Sequence, residues 1–479
     1  MRYLPAMMRL DSLLAGLLGR APRQRRLAAR RACAHRAGAA ALFGALAAGC
    51  AAPEVPPPPP AVTATVTQRG DTTVLTLSAS PTVAALAMPT RDSVPARVER
   101  LALPDTVTDA FIQDVAALPD GRYALLMRDL FQVAVLRDGA VERWFGRAGK
   151  GPGEFRDPYA IEARADGFAV MDLFGVQVFS PTGQVLEPVR LPWVPDWSLA
   201  QFRMPKMGFY THGHLRLGPE DVTRRLSRAP GGYALIGGPR QAGLAEGSVP
   251  WTLLRVPRLG APADSLGRVA GPVKRLFERV TYREGDERLF DEPFFQARSL
   301  VAGTDDWLAV LDAMSGRVTV QGSGQAVPMV INWRTKPVSV TDDMRGQFVR
   351  HFYADLGRNV GERAAAYAKA AERMSSEEAA AIGRKGDFVF AEVVGDVAAM
   401  FADGDCLWLV GSDPRDFTDG TSHWGLAINV RTRALTGPVR LARRGMRLRA
   451  IGYGVAYSTR ILHGGGVIME RVALPTCAR

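Results

Sequence analysis

The chain is poor in the residue types that build metal centres and covalent frameworks, with four cysteines and six histidines among 479 residues. Cys33 and Cys50 fall near the N-terminus, so the folded body keeps only Cys406 and Cys477. That excludes a disulfide-dense scaffold and a four-cysteine zinc site. The two could join in an oxidising compartment, but the simpler reading is a buried thiol in Asp405-Cys406-Leu407-Trp408-Leu409 and a loose one near the chain end. No Gly-x-Ser-x-Gly occurs, so there is no serine-nucleophile elbow. A spread-out basic face is missing as well. The formal charge is +12, yet residues 1–49 carry nine arginines against one acid, Asp11. The remainder is close to neutral, and phosphate-backbone binding, which needs clustered positive charge, is not expected.

The charge that is present sits where an export signal needs it. Arg23, Arg25, Arg26, Arg30, Arg31 and Arg36 precede the uncharged, apolar Ala37–Gly49. Thirteen residues are too few to span a bilayer, which takes about 20, but they suit the apolar core of a signal peptide. Residues 1–49 are therefore read as a leader, in which Met1–Ala21 looks like an over-extended gene start. Leu46-Ala47-Ala48-Gly49-Cys50 then resembles the bacterial lipoprotein lipobox, which implies lipidation at Cys50; the plainer alternative is ordinary cleavage with Cys50 incidental. Residues 50–61 contain Pro56–Pro60, a semi-rigid tether of the kind an anchored domain requires. Ala51 after the cysteine resembles lipoproteins sorted to the outer membrane. The expected location is the bacterial cell envelope, facing the periplasm or the exterior.

Residues 62–479 read as short strands and tight turns, in keeping with 49 glycines and 33 prolines. Val62–Thr67 and Thr72–Leu77 are β-branched and partly alternating. An internal repeat is the most informative feature: Asp129-Leu130-Phe131-Gln132-Val133-Ala134-Val135 returns as Asp172-Leu173-Phe174-Gly175-Val176-Gln177-Val178, forty-three residues later. Each copy follows a glycine turn, Asp120-Gly121 or Asp166-Gly167, and precedes a second, Asp138-Gly139 or Thr182-Gly183. All-strand repeats of this length are propeller blades. Further turns at His212-Gly213, Asp305-Asp306, Asp403-Gly404 and Tyr453-Gly454 bring the anchors to six. A helical insert is expected at about 341–383. There Thr341 precedes Asp342 and Asp343, and Met344, Phe348, Phe352 and Leu356 share a helix face. It reads equally well as a lid or docking element and as an ornamental excursion.

Gly146-Arg147-Ala148-Gly149-Lys150-Gly151-Pro152-Gly153-Glu154-Phe155 and the "IQVF"-type strand Val176-Gln177-Val178-Phe179 resemble the inter-blade signature and repeat of NHL-type six-bladed propellers, and Asp403–Val410 is similar to their "DG-x-LWV" strand. The resemblance implies an all-β, six-bladed propeller with a helical insert. It says little about activity. The Gly-rich run has phosphate-loop spacing, but neither a Lys-Ser/Thr pair nor a helix pattern follows it. His212 and His214 sit on one side of an extended segment and are candidate ligand-binding residues, together with the repeated Asp129 and Asp172, whose repetition favours a blade-corner role. No catalytic set, metal site or cofactor is expected. The reading is an exported binding module for a protein, peptide or glycan. The alternative, suggested by propeller relatives, is a metal-dependent hydrolase or lyase of lactonase type acting in the channel.

Overall fold

The computed structural model describes residues 61–88, 96–103, 112–156, 158–172, 175–190, 226–237, 247–248, 250–257, 264–270, 273–282, 285–291, 294–322, 328–359, 364–384, 388, 390–413, 421–443, 445–462 and 466–477. The leader, Cys33, Cys50, the proline tether, His212 and His214 lie outside the described residues.

Six four-stranded antiparallel units follow one another. Blade 1 comprises Ile112–Ala117, Tyr123–Met127, Gln132–Arg137 and Ala140–Phe145. Blade 2 comprises Ala160–Arg164, Gly167–Met171, Gly175–Phe179 and Val185–Arg190. Blade 3 is built from Ser227–Ala229, Gly232–Gly237, Trp251–Pro257 and Asp264–Val269, and blade 4 from Leu300–Gly303, Trp307–Asp312, Arg317–Gly322 and Met329–Trp333. Blade 5 contains Ala399–Asp403, Cys406–Ser412, Thr421–Asn429 and Leu435–Arg440. Blade 6 takes three strands from the end of the chain, Arg447–Gly452, Val455–Ile461 and Val467–Ala473. Its outer strand, Arg97–Arg100, comes from before blade 1. That pairing closes the ring.

Side-chain alternation explains why blades cannot stand alone. In Tyr123–Met127 all five residues are buried: Tyr123, Leu125 and Met127 pack against blade 6, while Ala124 and Leu126 pack against blade 2. Successive side chains on a strand point to opposite faces, so a strand covered on both faces reads as a continuous apolar run. The same holds for Gly167–Met171. Separate hydrophobic cores fill the junctions of blades 1 and 2, 2 and 3, 3 and 4, 4 and 5, 5 and 6, and 6 and 1. The fold is a six-bladed β-propeller.

Two expectations are corrected, and the place of the early strands is settled. The first-to-second-strand turn of blade 3 is Pro230-Gly231, not His212-Gly213, and that blade lies in the long stretch between the His212-Gly213 and Asp305-Asp306 anchors. Its composition hid it because its inner strand has only three residues. The early strands Ala64–Arg69 and Thr72–Leu77 build no blade of their own. The second of them pairs in parallel with Met329–Trp333 and lengthens blade 4 to six strands. Finally, Cys406 and Cys477 are not separate thiols. They form a disulfide, with Cα atoms 5.9 Å apart, that fastens the tail after blade 6 to blade 5. Sequence spacing carries no information on that approach.

Two glycines show why the turns read so clearly. Gly167 has φ 144° and a Cβ there would overlap the Phe179 carbonyl. Gly183 has φ 82° and a Cβ would overlap the Phe145 ring of blade 1. Only glycine suits both demands.

Four helices are described: α1 (Pro81–Leu86), α2 (Asp342–Asn359), α3 (Ala364–Arg373) and α4 (Ser376–Arg384). Helix α1 is capped by the Ser80 hydroxyl, which accepts from Val83 N at 3.3 Å, and it lies on blade 5, where a Cβ on Gly411 would overlap Pro81. The last three make up the insert between blades 4 and 5. The Thr341 hydroxyl accepts from Met344 N at 3.3 Å, and Gly346 lets α2 approach α4 closely. No helix of the described residues is long and apolar enough to cross a membrane.

Candidate functional site

The up-and-down course of each blade divides its connections between two faces. Turns after first and third strands fall on one face and are mostly short, as at Asp120-Gly121, Asp138-Gly139, Pro230-Gly231, Asp403-Gly404 and Tyr453-Gly454. Connections after second and fourth strands fall on the other. Four long connections start and end there: 191–226, 238–250, 270–299 and 334–398. Loops grouped on one end of a rigid scaffold are where binding residues concentrate.

Two of these excursions share one core. Phe294 and Phe295, from the connection between blades 3 and 4, pack with Phe348 and Phe352 of α2 and with Phe388 and Phe390 beyond α4. The Phe294 and Phe348 ring centroids are 4.3 Å apart, and Phe295 meets Phe348 edge-on. The backbones are joined too: Ala391 N donates to Phe294 O at 2.9 Å and Gly395 N to Phe295 O at 2.8 Å. Phe295 itself adopts φ 68°, a left-handed conformation unusual for a bulky side chain. The Thr82 hydroxyl of α1 donates to Gly395 O at 2.8 Å, and Trp333 Nε1 to the Asp396 carboxylate at 3.0 Å, so the shared unit is seated on blades 4 and 5. The insert turns its aromatic side inward. Its outward side carries charged residues such as Lys369, Glu372, Arg373 and Glu377.

Shorter connections are held by polar side chains of the blades. Gln177, in the third strand of blade 2, accepts from Gly153 N at 2.8 Å and donates to Glu154 O at 2.7 Å. Glu470, in the third strand of blade 6, is fully buried and binds both Arg443 N and the Arg443 guanidinium, fixing the entry to that blade. Asp312, ending the second strand of blade 4, accepts from Ala270 N at 2.9 Å. Its carboxyl lies below the usual range even though burial opposes ionisation, because the amides of Ala270, Ser315 and Met314 and the Ser315 hydroxyl favour the charged form. None of these three stood out in the sequence. The signal for Gln177 was its place in the NHL-like strand.

The Gly-rich run is a strut. Lys150 N and Gly151 N both donate to the Glu154 carboxylate at 2.8 Å, and Arg147 pairs with it at 2.7 Å. The amides a phosphate would need are thus already taken by a carboxylate. The amide of Gly151 and then the Arg147 guanidinium hold the Glu154 carboxyl below its ordinary value. A depressed pKa means the ionised carboxylate supports the folded loop above the unfolded value of about 4.3, and that support is lost as pH falls through the lower folded value. Amide exchange at Lys150 and Gly151, normalised for intrinsic rates, is therefore flat from pH 5 to 8 and rises in acid; uniform protection into the acid range would contradict this.

The repeated aspartates prove inequivalent. Asp172 is buried at the end of the second strand of blade 2, whereas Asp129 is exposed in the corner after the second strand of blade 1. The structure does not bring them together with a third acid or histidine. Among the described residues, no three His, Cys, Asp or Glu side chains group as a metal-binding set.

The solved structures that this chain is similar to include YCF48 bound to D1 peptide, at 10% identity with TM-score 0.30, covering 81% of this chain and 100% of that one. A streptogramin B lyase matches at 8% identity and TM-score 0.33, covering 80% and 100%, and a member of the duf4221 family from Bacteroides vulgatus at 8% and 0.34, covering 79% and 97%. Such scores carry no argument. The six blades rest on the strand pairing and the six junction cores. No family model matches the sequence, and no curated protein matches it significantly.

Proposed function

We propose that this protein is an exported, lipid-anchored, NHL-type propeller that binds a protein or peptide of the cell envelope through its insertion-bearing face. The observation that carries the reading is the asymmetry of the two faces: the four long connections start and end at one face, while the turns described on the other are mainly tight. The Cys406–Cys477 disulfide supports export, since such bonds persist in oxidising compartments. Cys50, followed by the proline tether, supplies the anchor and the reach.

A photo-crosslinking residue tests this in cells. Placed at Lys369 or Glu377, on the outward side of the insert, it yields a discrete protein adduct. Placed at Gln184 or Thr432, on the tight-turn face, it yields none. Equal adducts from both faces, or adducts from the tight turns alone, would refute the assignment. In the same cells Cys50→Ala moves the protein from the membrane to the soluble fraction. Unchanged membrane retention would remove the lipid from the account.

A further inference from the structure

The tight-turn face is stitched from blade to blade around the whole ring. Arg143 donates to Thr182 O at 2.8 Å (blades 1 and 2), Arg164 to the Tyr233 hydroxyl at 2.7 Å (2 and 3), and Arg228 faces Asp305 at 3.9 Å (3 and 4). Trp307 Nε1 donates to Gly404 O at 3.1 Å (4 and 5), and Asp403 accepts from Tyr453 N and Gly454 N, both at 2.8 Å (5 and 6). Arg471 donates to Gly121 O at 3.0 Å (6 and 1). Two residues in this ring are not accounted for by the stitching alone.

Tyr453 is the first. It occupies the first central position of a turn with φ 53°, followed by Gly454 at 71°, where glycine, asparagine or aspartate is the ordinary choice. Asp403 grips only the turn's backbone, so the phenol contributes nothing to that contact. Yet the residue is 51% exposed. A bulky residue kept in a strained conformation with its ring in solvent points to a use outside folding.

Arg228 is the second. It lies on the inner strand of blade 3, opposite blade 6 in the ring, with its side chain four-fifths buried between Glu162 at 3.6 Å and Asp305 at 3.9 Å. Neither carboxylate is at hydrogen-bond distance, and the buried Nε donates to no protein group. An under-satisfied buried guanidinium is costly. Burial raises the pKa of the Tyr453 phenol; Arg228 opposes that rise, while Asp403, Asp120 and Glu162 add to it. Tyr453 follows the innermost strand of blade 6, Arg228 and Glu162 lie on the innermost strands of blades 3 and 2, and Asp120, Asp305 and Asp403 sit at the tight-turn ends of those of blades 1, 4 and 5, which places all six around the channel mouth.

The charges at this mouth select the occupant. A cation meets Arg228, and an anion meets Glu162, Asp305, Asp120 and Asp403. A neutral polyol satisfies both, because each hydroxyl donates to a carboxylate and accepts from a guanidinium. The flat face of a tyrosine suits the C–H face of a sugar ring. We propose that the tight-turn mouth of the channel holds a neutral saccharide, with Tyr453 as stacking platform and Arg228, Glu162 and Asp305 binding its hydroxyls. The site is separate from the insertion-bearing face, and neither reading depends on the other.

Saturation-transfer NMR and calorimetry on the purified full chain, with maltohexaose, cellohexaose and chitohexaose as neutral probes and hexagalacturonate and hexalysine as charged ones, provide the test. At least one neutral hexamer binds, in preference to both charged ones. Tyr453→Gly weakens that binding by about tenfold, the scale of one ring contact. Glycine favours φ 53°, so the variant keeps or raises Tm, which separates lost binding from lost folding. Arg228→Gln weakens the same ligand. Preference for a charged hexamer, binding of no neutral hexamer, or full affinity in Tyr453→Gly would overturn the proposal.

Discussion

A Cys477→Ser variant is expected to lose about 4 kcal/mol of unfolding free energy under non-reducing conditions, from the loop-closure entropy of a bridge spanning 71 residues. The bridge acts at the junction of blades 5 and 6, where Cys477 belongs to the same core as Trp408, Val410, Ala456 and Val472. Blade 6 is also the blade completed by a strand from the other end of the chain. With the disulfide intact, the tail after Val467–Ala473 cannot leave blade 5, so opening that junction needs more than separating apolar surfaces. Denaturant titration with and without reductant checks this. The parent under reductant approaches the variant, and the variant itself responds little to reductant. Identical midpoints for oxidised parent and variant would show that the bridge does not stabilise the ring.

Phe155→Ala is expected to cost about 3–5 kcal/mol, the range for truncating a fully buried aromatic side chain. Phe155 ends the Gly-rich connection and is completely buried between blades 1 and 2, with its ring 5.7 Å from that of Phe179 and in one core with Phe168 and Ile161. The glycines before it are shaped around it. Gly146 has φ 86°, and a Cβ there would overlap the Phe155 ring. Lys150→Ala, by contrast, alters an exposed residue of the same loop and stays within about 0.5 kcal/mol. The pair separates the two readings of this motif. A strut between blades loses stability through Phe155 and none through Lys150. A ligand loop would show the reverse order, with Lys150→Ala impairing function and Phe155 tolerating change. Thermal and urea unfolding of both variants measure the difference.

The candidate site was only partly legible. The insert was visible because a helix announces itself locally, through Thr341, the two acids after it and the Met344, Phe348, Phe352, Leu356 spacing; α2 begins two residues before Met344 and ends three residues after Leu356. Its partners Phe294 and Phe295 carried no signal, since nothing in their neighbourhood states that they meet Phe390 and Phe348. Tyr453 was read only as part of a glycine turn. What distinguishes it is its exposure in a left-handed turn at the end of an inner strand, a place it shares with Arg228 of blade 3, more than two hundred residues away in the chain.

By itself the sequence determined the blades: continuous apolar runs such as Tyr123–Met127 and Gly167–Met171, glycine turns at fixed offsets, and the Asp-Leu-Phe repeat. These follow from side-chain alternation and turn sterics, which act over a few residues. Only the tertiary structure decided that Arg97–Arg100 completes blade 6, that Thr72–Leu77 lengthens blade 4, that blade 3 starts at Ser227, that Cys406 and Cys477 join, and that the long connections start and end at one face while Tyr453 and Arg228 belong to the inner-strand ends of the other. Each of those is a contact between residues far apart in the chain. Closure of the ring brings them together, and no local pattern encodes it.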